Sequence, residues 1–127
     1  MLVRDAMTKT VLTIGPAHTL RQAAQQMAER KVGAALVMDP EADGPGILTE
    51  RDVLLAVAQG QDPEAELVGT HLTPDAVSAG PDWDLERAAA TMVRGGFRHL
   101  VVCDGPDVVG VLSVRDLVRV WSAVPAT

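Results

Sequence analysis

The 127-residue chain is 47% hydrophobic, 22% charged and only 2% aromatic, which excludes a disordered or fibrous protein and asks for an aliphatic core. Seventeen acidic against eleven basic side chains leave a net charge of −6, which argues against general nucleic-acid binding. The single cysteine, Cys103, makes no internal disulfide. No apolar run approaches the roughly 18 residues of a membrane span, and residues 1–7 lack a charged start followed by an apolar core, so we expect a cytoplasmic chain with no membrane partner.

In chain order, residues 11–14 read as a short extended piece stopped by Gly15-Pro16. Thr19 with Gln22 makes a capping box, and Leu20, Ala23, Ala24 and Met27 then fall at helical spacing on one face. Residues 34–38 are a continuous apolar run ended by Asp39-Pro40, which predicts a buried strand with a return strand at 46–48. A second helix follows, with Val53, Leu54 and Val57 apolar and Gly60 placed to end it. Asp62-Pro63-Glu64 has the chemistry of a helix start, so residues 64–72 are expected to form a linking helix. The order then recurs. An extended piece at 76–79 stops at Gly80-Pro81, Asp84 caps a helix bearing Leu85, Ala88, Ala89 and Met92, strands follow at 100–103 and 108–112, and the last helix carries Leu117, Val118 and Trp121.

The recurrence is a duplication. Residues 3–39 align on residues 68–104 at a constant shift of 65, with ten of the 37 pairs identical. The shift then drops to 64, where Gly46, Leu48, Arg51 and Asp52 match Gly110, Leu112, Arg115 and Asp116, the slack being taken up in surface turns. The expected architecture is α+β, two β-α-β-β-α repeats over residues 1–61 and 62–127, the second including the linking helix. A three-stranded unit leaves one face uncovered, so the two copies should pack as a pseudo-twofold pair.

Each return strand delivers Thr49 or Ser113 to a helix N-terminus, where unpaired N–H groups and the helix dipole favour a phosphate. Asp52 and Asp116 lie one turn further on, and the two acceptor oxygens of a carboxylate suit the two hydroxyls of a ribose. Thr-x-x-Asp and Ser-x-x-Asp are equally capping boxes, and capping and binding are compatible; recurrence of the motif after the same strand favours binding. Gly46 and Gly110, without side chains, admit close approach of backbone or ligand. The copies differ in their cations: Arg98-His99 of the second aligns with Gly33-Ala34 of the first, so the two pockets should be unequal.

Arg51 and Arg115 beside the aspartates are phosphate partners or plain surface arginines, Arg98 a ligand or a solvated edge residue, and His99 a ligand or a packed imidazole. His18, His71 and His99 have no metal-binding spacing, and no catalytic triad or glycine-rich phosphate loop is visible, so neither metal, cofactor nor enzymatic activity is expected. Cys103 reads as a reduced core thiol. Trp83 reads as a surface or interface anchor more than an adenine stacker, and Trp121 as core or dimer contact.

The tandem unit, Met7-Thr8 and Leu72-Thr73, the paired Leu-x-x-Ala-Ala-x-x-Met helices, the run from Arg98 to Asp104 and both Gly-to-Asp motifs resemble a pair of cystathionine β-synthase (CBS) domains over nearly the whole chain. The resemblance implies a stand-alone regulatory module that binds AMP, ADP, ATP or an S-adenosylmethionine-like ligand in clefts between the repeats. It further implies Asp52 and Asp116 as ribose contacts, Thr49 and Ser113 near phosphate, Arg98, His99 and Arg115 as basic partners, a homodimer formed through the helices, and a regulated protein as partner. The competing reading is a ligand-independent interaction protein with degenerate pockets.

Overall fold

The computed structural model describes residues 1–74 and 76–122. In chain order its elements are α1 (Val3–Ala6), β1 (Thr13–Ile14), α2 (Leu20–Arg30), β2 (Ala34–Val37), β3 (Gly46–Thr49), α3 (Glu50–Ala58), α4 (Val68–His71), β4 (Ser78–Ala79), α5 (Leu85–Gly95), β5 (His99–Asp104), β6 (Asp107–Ser113) and α6 (Val114–Ser122). They group into two units, one of Leu12–Ala76 and one combining Met1–Val11 with Val77–Thr127.

In the Leu12–Ala76 unit, β1 pairs parallel with β2, and β2 antiparallel with β3, Ala34 standing opposite Thr49. The parallel pair needs a crossover, which α2 supplies. Its stripe of Leu20, Ala23 and Met27 is buried against Ile14, Ala35, Val37 and Leu48. The predicted capping box is present: Gln22 N–H donates to Thr19 Oγ1 at 3.1 Å and Thr19 N–H to Gln22 Oε1 at 2.9 Å. Gly60, with φ +81°, follows α3 as the residue that leaves the helix.

The other unit repeats this plan with β4, β5 and β6, where His99 stands opposite Ser113. The α5 stripe of Leu85, Ala88 and Met92 packs with Leu100, Val102 and Leu112. Asp84 is the N-cap residue of α5, yet its side chain makes no capping bond. The helix ends at Gly96 with φ +70°.

The opening segment of each repeat lies in the unit built by the other repeat. Val3 and Ala6 of α1 are buried in the core that holds Leu100 and Leu112, and Thr8 exchanges backbone hydrogen bonds with Val111 at 2.9 and 3.0 Å. Their counterparts follow suit: Val68 is buried with Leu20 and Leu48, and Thr73 exchanges bonds with Ile47 at 2.8 and 3.0 Å. This accounts for the two glycines. A Cβ on Gly46 would sit 2.8 Å from Leu72 Cδ1 and 3.3 Å from Thr73 O, and one on Gly110 2.9 Å from Thr8 O, so the close approach is that of the crossing backbone. The boundary at residue 61 marks the sequence duplication; the units follow contacts.

Two expectations are corrected. Residues 64–72 do not form one helix, because Asp62 O accepts from Ala65 and Glu66 in a turn and Glu66 O then accepts from Leu20 N at 3.0 Å. That bond spends the carbonyl on the start of α2, leaving only the four-residue α4. Of the two readings of Trp121, core or dimer contact, the core one is excluded within its unit: it is 51% exposed, and Val118 and Leu54, at matching positions of α6 and α3, are 57% and 66% exposed. No helix of the described residues is long and apolar enough to cross a membrane.

Candidate ligand-binding site

Both motifs fold as capping boxes. Thr49 N–H and Oγ1 donate to Asp52 Oδ2 at 2.8 and 3.1 Å, and Asp52 N–H returns to Thr49 Oγ1 at 3.3 Å. Ser113 and Asp116 reproduce the pattern at 2.8, 3.0 and 3.1 Å. The backbone that precedes the central strand closes each helix start: Glu50 N–H donates to Gly33 O and Val114 N–H to Arg98 O, both at 2.9 Å. Two of the first three N–H groups of α3 and of α6 are therefore taken up, which corrects the expectation of an unpaired N-terminus inviting phosphate. What a ligand could still meet there depends on the aspartate carboxylates.

The two carboxylates differ. An ionised carboxylate has about four acceptor positions. At Asp116, which is 4% exposed, all are used: Ser113 N–H and Oγ serve Oδ2, while Thr8 Oγ1 at 3.3 Å and Arg119 Nη1 at 3.0 Å serve Oδ1. Asp52 is half-buried, and among the described residues its Oδ1 accepts no hydrogen bond. Among the described residues, two acceptor positions stay open on one oxygen, at the start of α3.

The cations follow the same division. Arg98 is exposed at the entry to β5, and its guanidinium makes no hydrogen bond or ion pair among the described residues. Half-buried His99 lies beside Ser113 in the sheet, and Arg115 is exposed on the first turn of α6. In the first repeat the place of Arg98 is held by Gly33, where a Cβ would meet the Glu50 carboxylate at 3.2–3.4 Å.

The remaining candidates have structural partners. His18 Nδ1 accepts from Gly15 N–H at 3.1 Å, and His71 lies 2.8 Å from Glu66. Trp83 packs against the core of its unit, with the Arg87 guanidinium 3.7 Å from its ring centroid, so its face is occupied. Cys103 is a free, half-buried thiol whose pKa burial pushes up. Sequence reasoning missed Thr8 and Arg119 as neighbours of Asp116; nothing local announces Thr8, whereas the i,i+3 helical spacing could have found Arg119.

The CBS domain family matches residues 3–59 and 68–123, and the chain belongs to that family as a tandem pair. The CBS domain-containing protein YhcV of Bacillus subtilis is 36% identical over 119 residues, covering 91% of this chain and 81% of that protein. The crystal structure of the CBS-domain containing protein ATU1752 from Agrobacterium tumefaciens matches with a TM-score of 0.87 at 30% identity, over 95% of this chain and 99% of its own. The CBS domain pair of protein MJ0100, crystallised with 5′-methylthioadenosine and S-adenosyl-L-methionine, shares the fold with a TM-score of 0.85 at 22% identity, over 96% of each chain.

Proposed function

We propose that this CBS pair is a non-catalytic, cytoplasmic regulatory module that binds an adenosine-containing ligand, a nucleotide such as AMP, ADP or ATP or an S-adenosylmethionine-like nucleoside. Asp52 is its open ribose contact. The observation that carries this reading is the Asp52 carboxylate, held by Thr49 through one oxygen and left with the other unpartnered among the described residues. A cis-diol donates two hydrogen bonds, and that oxygen has room for two. Thr49 positions the carboxylate; in the other unit Arg98 supplies charge that favours phosphorylated ligands, with His99 and Arg115 as further basic groups. Ser113 and Asp116 form the corresponding site of the second repeat. Family membership supports the class of ligand, as do the adenosine compounds bound by the MJ0100 pair.

The exposed apolar residues Leu54 and Val57 on α3 and Val118 and Trp121 on α6 support a homodimer. Melting curves with a panel of adenosine, AMP, ADP, ATP and S-adenosylmethionine test the function. A ligand at a hundred times its Kd stabilises the native state by about 2.7 kcal/mol, a rise of several degrees for a domain of this size. A panel that shifts nothing favours the ligand-independent interaction protein.

A further inference from the structure

The carboxylate of the second repeat is closed by a side chain that the first repeat lacks. Arg119 lies one turn beyond Asp116 on α6, its Nη1 3.0 Å from Asp116 Oδ1 and its Nη2 donating to Ala6 O at 3.0 Å. At the 64-residue shift the same place in α3 is Leu55, which has no donor. We propose that Arg119 is an internal competitor for the ribose site at Asp116, so that the chain carries one open half-site, at Asp52, and one that its own guanidinium holds shut. The proposal rests on the ribose-binding reading of Asp52.

The chemistry favours a plug that can be removed. A guanidinium presents its N–H groups in a fixed fork, and here one arm takes the carboxylate while the other takes the Ala6 carbonyl, so two anchors hold it in place. Its donor occupies Oδ1, the oxygen that is open in Asp52. The Arg119 side chain is 61% exposed, so removing it takes no large apolar group from the core. Thr8 Oγ1, at the longer distance of 3.3 Å, is a hydroxyl that can turn to accept a bond from an incoming ligand.

Calorimetric titration with AMP tests this on the whole chain. The wild type is expected to bind one AMP per chain, Arg119→Leu two, and Leu55→Arg, which installs the plug beside Asp52, none. The double variant Arg119→Leu, Leu55→Arg should bind one again, now abolished by Asp116→Ala. Cooperative melting confirms folding, and Arg119→Gln replaces Arg119→Leu should the latter not fold. One AMP per chain in both the wild type and a folded Arg119 variant, or two in the wild type, overturns the proposal. Absence of binding in both overturns it together with the Asp52 reading, whereas binding in the Arg119 variant alone overturns only the Asp52 reading.

Discussion

Thr8 and Asp116 are 108 residues apart in the chain and 3.3 Å apart in space, with the Thr8 hydroxyl donating to the carboxylate. The contact shows how the duplicated fold is stitched: the segment that opens the first repeat completes the unit built from the second. Thr8 also closes the β6 edge at Val111, so the same residue serves the sheet and the binding motif.

Val3 and Val68 therefore act as core residues of units that their own repeats do not build, each with no exposed surface. Val3→Ala and Val68→Ala should each cost about 2 kcal/mol through lost burial and a cavity. Urea denaturation measures the loss; an effect below about 0.5 kcal/mol would mean that these segments dock loosely.

Gly110→Ala should destabilise more than Gly46→Ala. The new methyl on Gly110 meets a backbone oxygen, Thr8 O, at 2.9 Å, whereas on Gly46 the closest atom is the movable end of Leu72, with Thr73 O at 3.3 Å. Overpacking of this kind costs about 1–3 kcal/mol, and thermal melts of the two variants rank them.

Much of this fold is legible in the sequence, because helical spacing and turn chemistry are local. The Leu20 and Leu85 stripes, the succession of strands and helices along the chain and the Thr19 box need only a few neighbouring residues. The crossing of Val3 and Val68 is not legible, since a four-residue helix carries no mark of the sheet it joins. Nor is the inequality of the aspartates. Thr-x-x-Asp and Ser-x-x-Asp look alike, and Asp116 is saturated only when Thr8, brought in by the tertiary fold, joins Arg119, its i+3 neighbour on the same helix. The failed helix over 64–72 has the same cause, a backbone carbonyl claimed by α2 from a distance.

In the Arg119→Leu background, where the Asp116 site of the same unit is open, Arg98→Ala should weaken AMP, ADP and ATP at that site by about tenfold and leave adenosine unchanged, because a charge-assisted hydrogen bond of roughly 1.5–3 kcal/mol is available only to a phosphate. Raising salt should narrow the gap between AMP and adenosine at that site, as the field of an exposed arginine is screened over about 8 Å at physiological ionic strength. Equal losses for all four ligands would place Arg98 in a structural role.

A homodimer built on α3 and α6 should dissociate when Val118 and Trp121, which are 57% and 51% exposed, are both replaced by Glu. Sedimentation velocity at micromolar concentration should give a dimer for the wild type and a monomer for the variant. A wild-type monomer would show that these faces serve another contact.

The central claim is that Asp52 reads the ribose, and calorimetric titration of Asp52→Ala with adenosine and AMP tests it most directly. Loss of a hydrogen bond to a charged acceptor should weaken both ligands by about ten- to a hundredfold, because the ribose is common to them. The fold should survive, since the lost capping contact costs only about 1 kcal/mol. Unchanged affinity for both ligands in a folded Asp52→Ala protein would contradict the account and leave Asp52 as a helix cap alone.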